Sequence, residues 1–128
     1  MVRTIVATDK APGAIGPYSQ AVQTDSMVFV SGQLAIDPAT GELVTTDIRQ
    51  ETRQALTNLE AILIAAGSSL KHVLKTTVYI ADMDQFAEIN AIYAEFFKED
   101  PPARACVEVA RLPKDANVEV EAIALLSA

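Results

Sequence analysis

Residues 47–81, DIRQETRQALTNLEAILIAAGSSLKHVLKTTVYIA, predict an amphipathic helix that is followed directly by a β-strand. Residues 47–66 carry apolar side chains at three- and four-residue steps, so these side chains fall on one face of a helix. Thr46 is expected to cap the start of this helix, and Gly67 suits a left-handed position just beyond its end. Residues 73–81 are rich in β-branched side chains, which favours a strand. The stretch therefore predicts a helix that packs on a sheet.

The chain on either side of this stretch predicts a second helix and further strands. Asp82 and Gln85 have the spacing of a capping box, and the apolar stripe that follows ends before Pro101. Strands are predicted at residues 2–7, 18–23, 27–34, 104–110 and 117–126. The predicted fold is an α+β or α/β sandwich of about six strands, with two helices packed on one face.

The predicted sheet has more apolar surface than two helices can cover. Residues 73–80 and 118–126 carry apolar side chains at both strand parities, which is typical of strands buried on both faces. A chain of this length has no further element for the second face. We therefore predict that another subunit covers it, and that the protein is an obligate oligomer.

Size, charge and composition exclude several classes of protein. The 128 residues fit one domain, residues 1–128. A net charge of −7 with scattered basic residues disfavours nucleic-acid binding. A single cysteine and a single histidine permit neither an internal disulfide nor a zinc site of the usual ligand sets. No apolar stretch is long enough to cross a membrane, so we expect a soluble, cytoplasmic protein without metal or cofactor.

Arg104 is the most informative single residue. It lies among small and apolar residues in a segment that alternates like a half-buried strand, with Cys106 and Glu108 on the same face. An arginine here either extends its head into water, pairs with a carboxylate of the protein, or binds an anionic ligand, for which its planar donor fork is well suited. Cys106 has no histidine to activate it, so thiol catalysis is not expected.

Glu119 and Glu121 alternate with apolar residues in the last predicted strand, so both carboxylates share a face. If the last two strands form an antiparallel hairpin, one of these glutamates approaches Arg104 and becomes a candidate general base. The alternative is a solvated sheet face. Tyr18 and Ser31 place hydroxyl groups beside glycines. Asn90 lies within the apolar stripe of the second helix, where a buried amide must be hydrogen-bonded.

These segments together resemble the Rid family of reactive-intermediate deaminases, also called YjgF-like, and especially its RidA branch. The resemblance covers nearly the whole chain. Its motifs are AIGPYSQA (14–21), SGQ (31–33), NAIY (90–93), PARACVEV (102–109), LPKD (112–115) and VEVEA (118–122).

The resemblance implies a chorismate-mutase-like α+β fold with a mixed sheet, assembled as a homotrimer with sites between subunits. It implies hydrolysis of 2-imino acids, such as 2-iminobutyrate and 2-iminopropanoate, to 2-keto acids and ammonia. By the same resemblance Arg104 binds the substrate carboxylate and Glu119 assists the hydrolytic water. Tyr18, Ser31 and Cys106 match pocket-lining positions, and Asn90 matches a helix position associated with the site.

Two other functions fit the same residues. A non-catalytic regulatory protein would use the arginine pocket to hold a small carboxylate without converting it. An endoribonuclease or translation inhibitor is the second alternative, and the acidic charge and the lack of a histidine pair count against it.

Overall fold

The structure is a computed structural model that describes residues 2–127. Its strands are β1 (Thr4–Val6), β2 (Ala21–Gln23), β3 (Met27–Gln33), β4 (Val73–Ile80), β5 (Ala103–Glu108) and β6 (Val118–Leu125). Its α-helices are α1 (Ile48–Ala65) and α2 (Phe86–Phe96). Short 3₁₀ turns occupy Leu70–His72, Met83–Gln85 and Pro113–Asp115.

The strands form one mixed sheet in the order β1-β2-β3-β6-β4-β5. All neighbouring strands are antiparallel except β4 and β5, which are parallel. The helices α1 and α2 pack against each other, and α1 also packs on β3 and β6. A hydrogen bond of 2.7 Å between Thr76 Oγ1 and Tyr93 Oη joins β4 to α2. The predicted α+β fold of six strands and two helices is confirmed.

Helix α1 forms for the predicted reason but begins at a different cap. Its apolar face, which includes Leu56, Leu59 and Ile62, is completely buried against the sheet. Asp47, and not Thr46, caps the helix, because the Asp47 carboxylate accepts the backbone N–H of Gln50 at 2.8 Å. Gly67 has a φ of +86° just beyond the helix, as predicted.

The last two strands do not form the hairpin that would bring a glutamate of β6 close to Arg104. Strand β4 lies between β5 and β6, and it pairs parallel with β5 and antiparallel with β6. A parallel connection needs a crossover, which α2 supplies between β4 and β5. Arg104 and Glu119 are therefore separated by a strand that local sequence patterns did not place.

The structure corrects three further expectations. Strand β2 starts only at Ala21, because the Gln20 side chain binds the preceding loop: its Oε1 accepts the Thr8 N–H at 2.7 Å, and its Nε2 donates to the Pro12 carbonyl at 2.7 Å. Asp82 caps the 3₁₀ turn that precedes α2, where its carboxylate accepts the Asp84 N–H at 2.9 Å. Strand β5 is an edge strand and largely exposed rather than half-buried.

The face of the sheet opposite the helices carries exposed apolar side chains. Ile5, Phe29, Val107 and Leu125 are each between 41% and 49% exposed. The pairing register aligns Ile5 and Phe29 through β2, so these two side chains lie in one row across the sheet. An uncovered surface of this kind is what the predicted oligomer would bury.

Candidate active site

An open pocket of about 690 Å³ lies where β3 and β6 meet the loops around residues 12–18 and 113–114. It is on the side of the sheet that the helices leave bare. Its volume is in the usual range for small-molecule sites. The residues that line it are Pro12, Gly13, Ile15, Tyr18, Gln20, Ser31, Gly32, Gln33, Leu34, Ile36, Pro113, Lys114, Glu119 and Glu121.

Glu119 projects into this pocket across the backbone of Gly32. A Cβ atom added to Gly32 would lie 2.7 Å from Glu119 Oε2 and 2.8 Å from its Cδ. Distances this short do not occur between real side chains, so the missing side chain of Gly32 is what lets the carboxylate lie there. The segment Ser31-Gly32-Gln33 is thus tied to the glutamate by sterics.

The protonation of Glu119 is shifted by its surroundings. Burial raises the pKa of the Glu119 carboxyl, and the negative charge of Glu121 raises it further. A carboxyl group with a raised pKa holds a proton more readily near neutral pH than an exposed glutamate does. Such a group is suited both to accept a proton from water and to return it.

Ser31 and Tyr18 line the same pocket as Glu119. The Ser31 hydroxyl donates to the Ser19 carbonyl at 2.6 Å, so its proton is already used and its oxygen remains an acceptor. The Tyr18 hydroxyl accepts a long hydrogen bond of 3.4 Å from the Ile15 N–H, and half of the Tyr18 side chain is exposed. Both hydroxyl oxygens are therefore available to a ligand or an ordered water.

Arg104, Cys106 and Asn90 lie elsewhere, at the β5 edge and on the helix side of the sheet. Arg104 is paired in register with Thr76, which is buried beneath the helices. The Arg104 Nη1 donates to Asn90 Oδ1 at 2.7 Å. Cys106 is partly buried, and burial raises the pKa of its thiol although Arg104 opposes the shift. The thiol form of Cys106 is thus favoured, which argues against a nucleophilic thiolate.

Within one chain, the predicted site residues therefore form two groups that lie on opposite faces of the sheet. Glu119 is aligned with Tyr79 and, through it, with Val107. Val107 and Arg104 have opposite strand parity, so their side chains point to opposite faces. Arg104 and Glu119 of the same chain cannot share one pocket without a change of fold.

Sequence reasoning missed two amides that shape the pocket. Gln20 is buried, and its side chain fixes the loop that forms one wall through bonds to Thr8, Ala11 and Pro12. Gln33 is also buried and donates to the Ser31 carbonyl at 3.1 Å. Their only sequence signal is the position of an amide beside a glycine- or proline-containing loop.

The Gly32→Ala substitution tests the contact between Gly32 and Glu119. Gly32 does not have a positive φ, so alanine is compatible with the backbone, but its methyl group must displace the carboxylate. We expect the kcat of the imine hydrolysis that the family resemblance implies to fall about 10- to 100-fold, since a displacement of about 1 Å can cost that much. Steady-state kinetics measures kcat, and thermal melting shows whether the variant is folded.

Gly13→Ala is the matched control, because it adds a methyl group to open space in the same pocket. It should reduce kcat far less than Gly32→Ala. Equal kcat values for the two variants would show that the close approach at Gly32 has no role in turnover.

The described residues also limit other kinds of site. Within residues 2–127, no group of three or more His, Cys, Asp or Glu side chains is arranged to hold a metal ion. None of the helices in that range combines the length and the apolarity required to span a bilayer.

The fold is α+β, and its distinctive polar groups are a half-buried glutamate in the pocket, Glu119, and an arginine on the other face of the sheet, Arg104. The family model described as Endoribonuclease L-PSP matches residues 8–126, and the chain belongs to this family, the YjgF or Rid family. The resemblance noted in the sequence is thus confirmed.

Three relatives illustrate the match. A RutC family protein from Pyrococcus horikoshii is 54% identical over 123 residues, which cover 96% of this chain and 98% of the relative. The human protein named 2-iminobutanoate/2-iminopropanoate deaminase is 48% identical over 125 residues, which cover 98% of this chain and 91% of the relative. The crystal structure of Escherichia coli TdcF with bound serine superposes with a TM-score of 0.93 at 50% identity, covering 97% and 99% of the two chains.

Proposed function

We propose that this protein is a 2-iminobutanoate/2-iminopropanoate deaminase, which hydrolyses reactive 2-imino acids to 2-keto acids and ammonia. The observation that carries the proposal is the combination of an arginine without a carboxylate partner and a half-buried glutamate with a raised pKa. Of the ion pairs found among residues 2–127, none includes Arg104. The human relative's name states the same reaction for that protein.

The active site is formed between subunits of a homotrimer. Within one chain, Arg104 and Glu119 lie on opposite faces of the sheet. Strand β5 is an exposed edge, and the bare face beside the Glu119 pocket carries exposed apolar side chains such as Phe29 and Val107. An edge of one subunit that docks on the bare face of the next would bury this surface and bring Arg104 to the pocket.

Each residue has a role in the proposed reaction. Arg104 binds the substrate carboxylate with paired, charge-assisted hydrogen bonds and so fixes the adjacent C=N carbon. Water adds its oxygen to the carbon of the protonated imine while Glu119 accepts one proton from the water, which gives a neutral carbinolamine. Glu119 then returns that proton to the nitrogen. The C–N bond breaks as the C=O bond forms, the hydroxyl proton passes to Glu119, and the products are the 2-keto acid and ammonia. Tyr18 and Ser31 line the pocket with oxygen atoms that can order the water.

The imine carbon is already electrophilic, so the residues needed are those that bind the carboxylate and move one proton. Burial of Glu119 favours this role, because its pKa is raised toward the pH at which both proton transfers must occur. Cys106 and Asn90 belong to the Arg104 side of the site.

We place the reaction in the cytoplasm, since one free cysteine, Cys106, fits a reducing compartment.

The main alternative is a regulatory protein that holds a small carboxylate without converting it. Arg104 would serve either function, but Glu119 with its raised pKa is needed only for turnover. A ribonuclease is disfavoured because the net charge of −7 repels a phosphate backbone and one histidine cannot form an acid–base pair.

The direct test is release of ammonia from 2-iminobutyrate and 2-iminopropanoate, generated in the assay by a pyridoxal-phosphate-dependent dehydratase. The parent protein should accelerate ammonia release, and Arg104→Ala should abolish most of that acceleration. If the parent protein binds 2-ketobutyrate but does not accelerate ammonia release, the regulatory alternative is supported instead.

Mixed assemblies test whether the site lies between subunits. Arg104→Ala and Glu119→Gln chains are unfolded together in equal amounts and refolded, so that random assembly pairs an intact Arg104 with an intact Glu119 in about one quarter of intersubunit sites. Ammonia release should then recover to about one quarter of the parental rate, while each variant alone stays inactive. No recovery in a mixture shown to contain hybrid assemblies would contradict a site shared between subunits.

A further inference from the structure

The Arg104 guanidinium rests in a cradle of neutral groups on helix α2. Its Nη1 donates to Asn90 Oδ1 at 2.7 Å. Its Cζ lies 4.7 Å from the ring centroid of Tyr93 and 5.5 Å from that of Phe86. These contacts hold the side chain against one helix although β5 itself is an exposed edge strand.

Neutral partners have a consequence for the charge of Arg104. An aromatic face attracts a cation through its quadrupole, and it occupies none of the N–H donors. Asn90 accepts from only one nitrogen of the five-donor fork. The guanidinium is therefore held in place while its full charge and most of its donors remain available, whereas a carboxylate partner would compete with the substrate.

Tyr93 is the rigid part of this cradle. It is 6% exposed, and its hydroxyl shares a 2.7 Å hydrogen bond with Thr76, which is fully buried in β4. Thr76 is also the residue paired in register with Arg104 on β5. The ring packs on Phe97 with centroids 4.7 Å apart. The ring plane of Tyr93 is thus fixed by the strand next to Arg104 and by its own helix.

We propose that Tyr93 is a positioning residue that sets the plane of the Arg104 guanidinium for the substrate carboxylate. The proposal rests on the proposed function, because it takes Arg104 to be the carboxylate-binding group. Asn90 acts with Tyr93 by fixing the Nη1 end of the fork, and Thr76 fixes the ring by anchoring its hydroxyl. Tyr93 itself touches Arg104 and not the substrate.

The test uses three variants and separates KM from kcat. Tyr93→Leu removes the aromatic face and should raise KM for 2-iminobutyrate about 2- to 30-fold, the range expected for loss of a cation–π contact. Its kcat should change little, because Glu119 and the water are unaffected. Tyr93→Phe keeps the aromatic face and its packing on Phe97 and loses only the hydrogen bond to Thr76. Its KM should therefore stay within about 2-fold of the parental value even though its melting temperature falls.

Phe97→Leu is the matched control for packing. Phe97 is also a buried aromatic residue at the end of α2, it contacts the Tyr93 ring, and no cation–π contact joins it to Arg104. This variant keeps the hydrogen bond between Tyr93 and Thr76 and the Tyr93 face over which Arg104 lies, so it should lose stability with a KM close to the parental one. The proposal is overturned if Tyr93→Leu has the parental KM, if Phe97→Leu raises KM as much as Tyr93→Leu does, or if Tyr93→Phe equals Tyr93→Leu.

A binding measurement distinguishes this proposal from the proposed function. Calorimetric titration measures the affinity for 2-ketobutyrate, a stable carboxylate. This affinity should fall most in Tyr93→Leu and least in Tyr93→Phe and Phe97→Leu. If the parent releases no ammonia but shows this order of binding, the deaminase assignment fails while the role of Tyr93 stands. If the parent binds no carboxylate, the role of Tyr93 is refuted as well.

Discussion

The Glu119→Gln protein is expected to bind carboxylate ligands with nearly parental affinity and to hydrolyse 2-iminobutyrate about 10²- to 10⁴-fold more slowly, the usual contribution of a general base. Glutamine has almost the same shape as glutamate, so it can still lie across Gly32 and fill the same space. It cannot accept a proton from the attacking water. The loss should therefore appear in kcat, measured by ammonia release at saturating substrate.

Glu121→Gln is the matched control for this substitution. Glu121 is on the same strand and face as Glu119 and lines the same pocket, and its charge raises the pKa of Glu119. Its removal should leave kcat within a few-fold of the parental value and move the acidic limb of the kcat/KM profile to lower pH. A kcat for Glu119→Gln equal to the parental one would rule out the proposed proton transfer.

The raised pKa of Glu119 also predicts how stability depends on pH. Burial disfavours the charged carboxylate in the folded chain. The stability contributed by this group is therefore present below its ordinary pKa and is lost as pH rises through its raised folded pKa. Glu119→Gln removes that loss and should be at least as stable as the parent at neutral pH, as thermal melting would show. Its low kcat could then not be attributed to unfolding.

The second large effect is expected from Arg104→Lys. Lysine keeps the positive charge but lacks the planar fork, so at least one charge-assisted hydrogen bond to the substrate carboxylate is lost. Such a bond is worth about 1.5 to 3 kcal/mol, which corresponds to a fall in kcat/KM of about 10- to 150-fold. Lysine also loses the contact of the guanidinium with the Tyr93 ring, whose centroid lies 4.7 Å from Arg104 Cζ. Most of the effect should appear in KM.

Arg53→Lys is a suitable control because it makes the same chemical change in a different place. Arg53 is on α1 and forms an exposed ion pair with Glu95 at 2.7 Å. Exposed pairs contribute little, so kcat/KM should stay within about 2-fold of the parental value. If Arg104→Lys also stayed within that range, Arg104 would not be the group that recognises the substrate carboxylate.

The helices show how far local patterns carry a prediction. The spacing of apolar residues in 47–66 gave α1 nearly to the residue, because a helix that covers a sheet must bury one stripe of side chains. The choice of cap was wrong by one residue, Asp47 for Thr46, since both side chains can accept a backbone N–H and only the entry geometry decides between them.

The site was harder to predict than the fold. Alternation correctly grouped Arg104 with Cys106, but it could not show which strands are neighbours, and β5 pairs with β4 and not with β6. Gln20 and Gln33 could not be recognised as wall-forming amides, because their partners are backbone groups whose positions depend on the loop conformation. The contact between Gly32 and Glu119 likewise joins residues that are far apart in sequence.

The sequence by itself determined which elements form: two amphipathic helices, and strands that are apolar on both faces. It also determined the chemical groups of the site, which are an arginine suited to bind a carboxylate and a glutamate suited to transfer a proton. These follow from periodicity and side-chain chemistry, which are local properties. Only the tertiary structure decided that β4 lies between β5 and β6, and hence that Arg104 and Glu119 open on opposite faces. Strand order depends on contacts between distant segments, about which the spacing within any one segment carries no information.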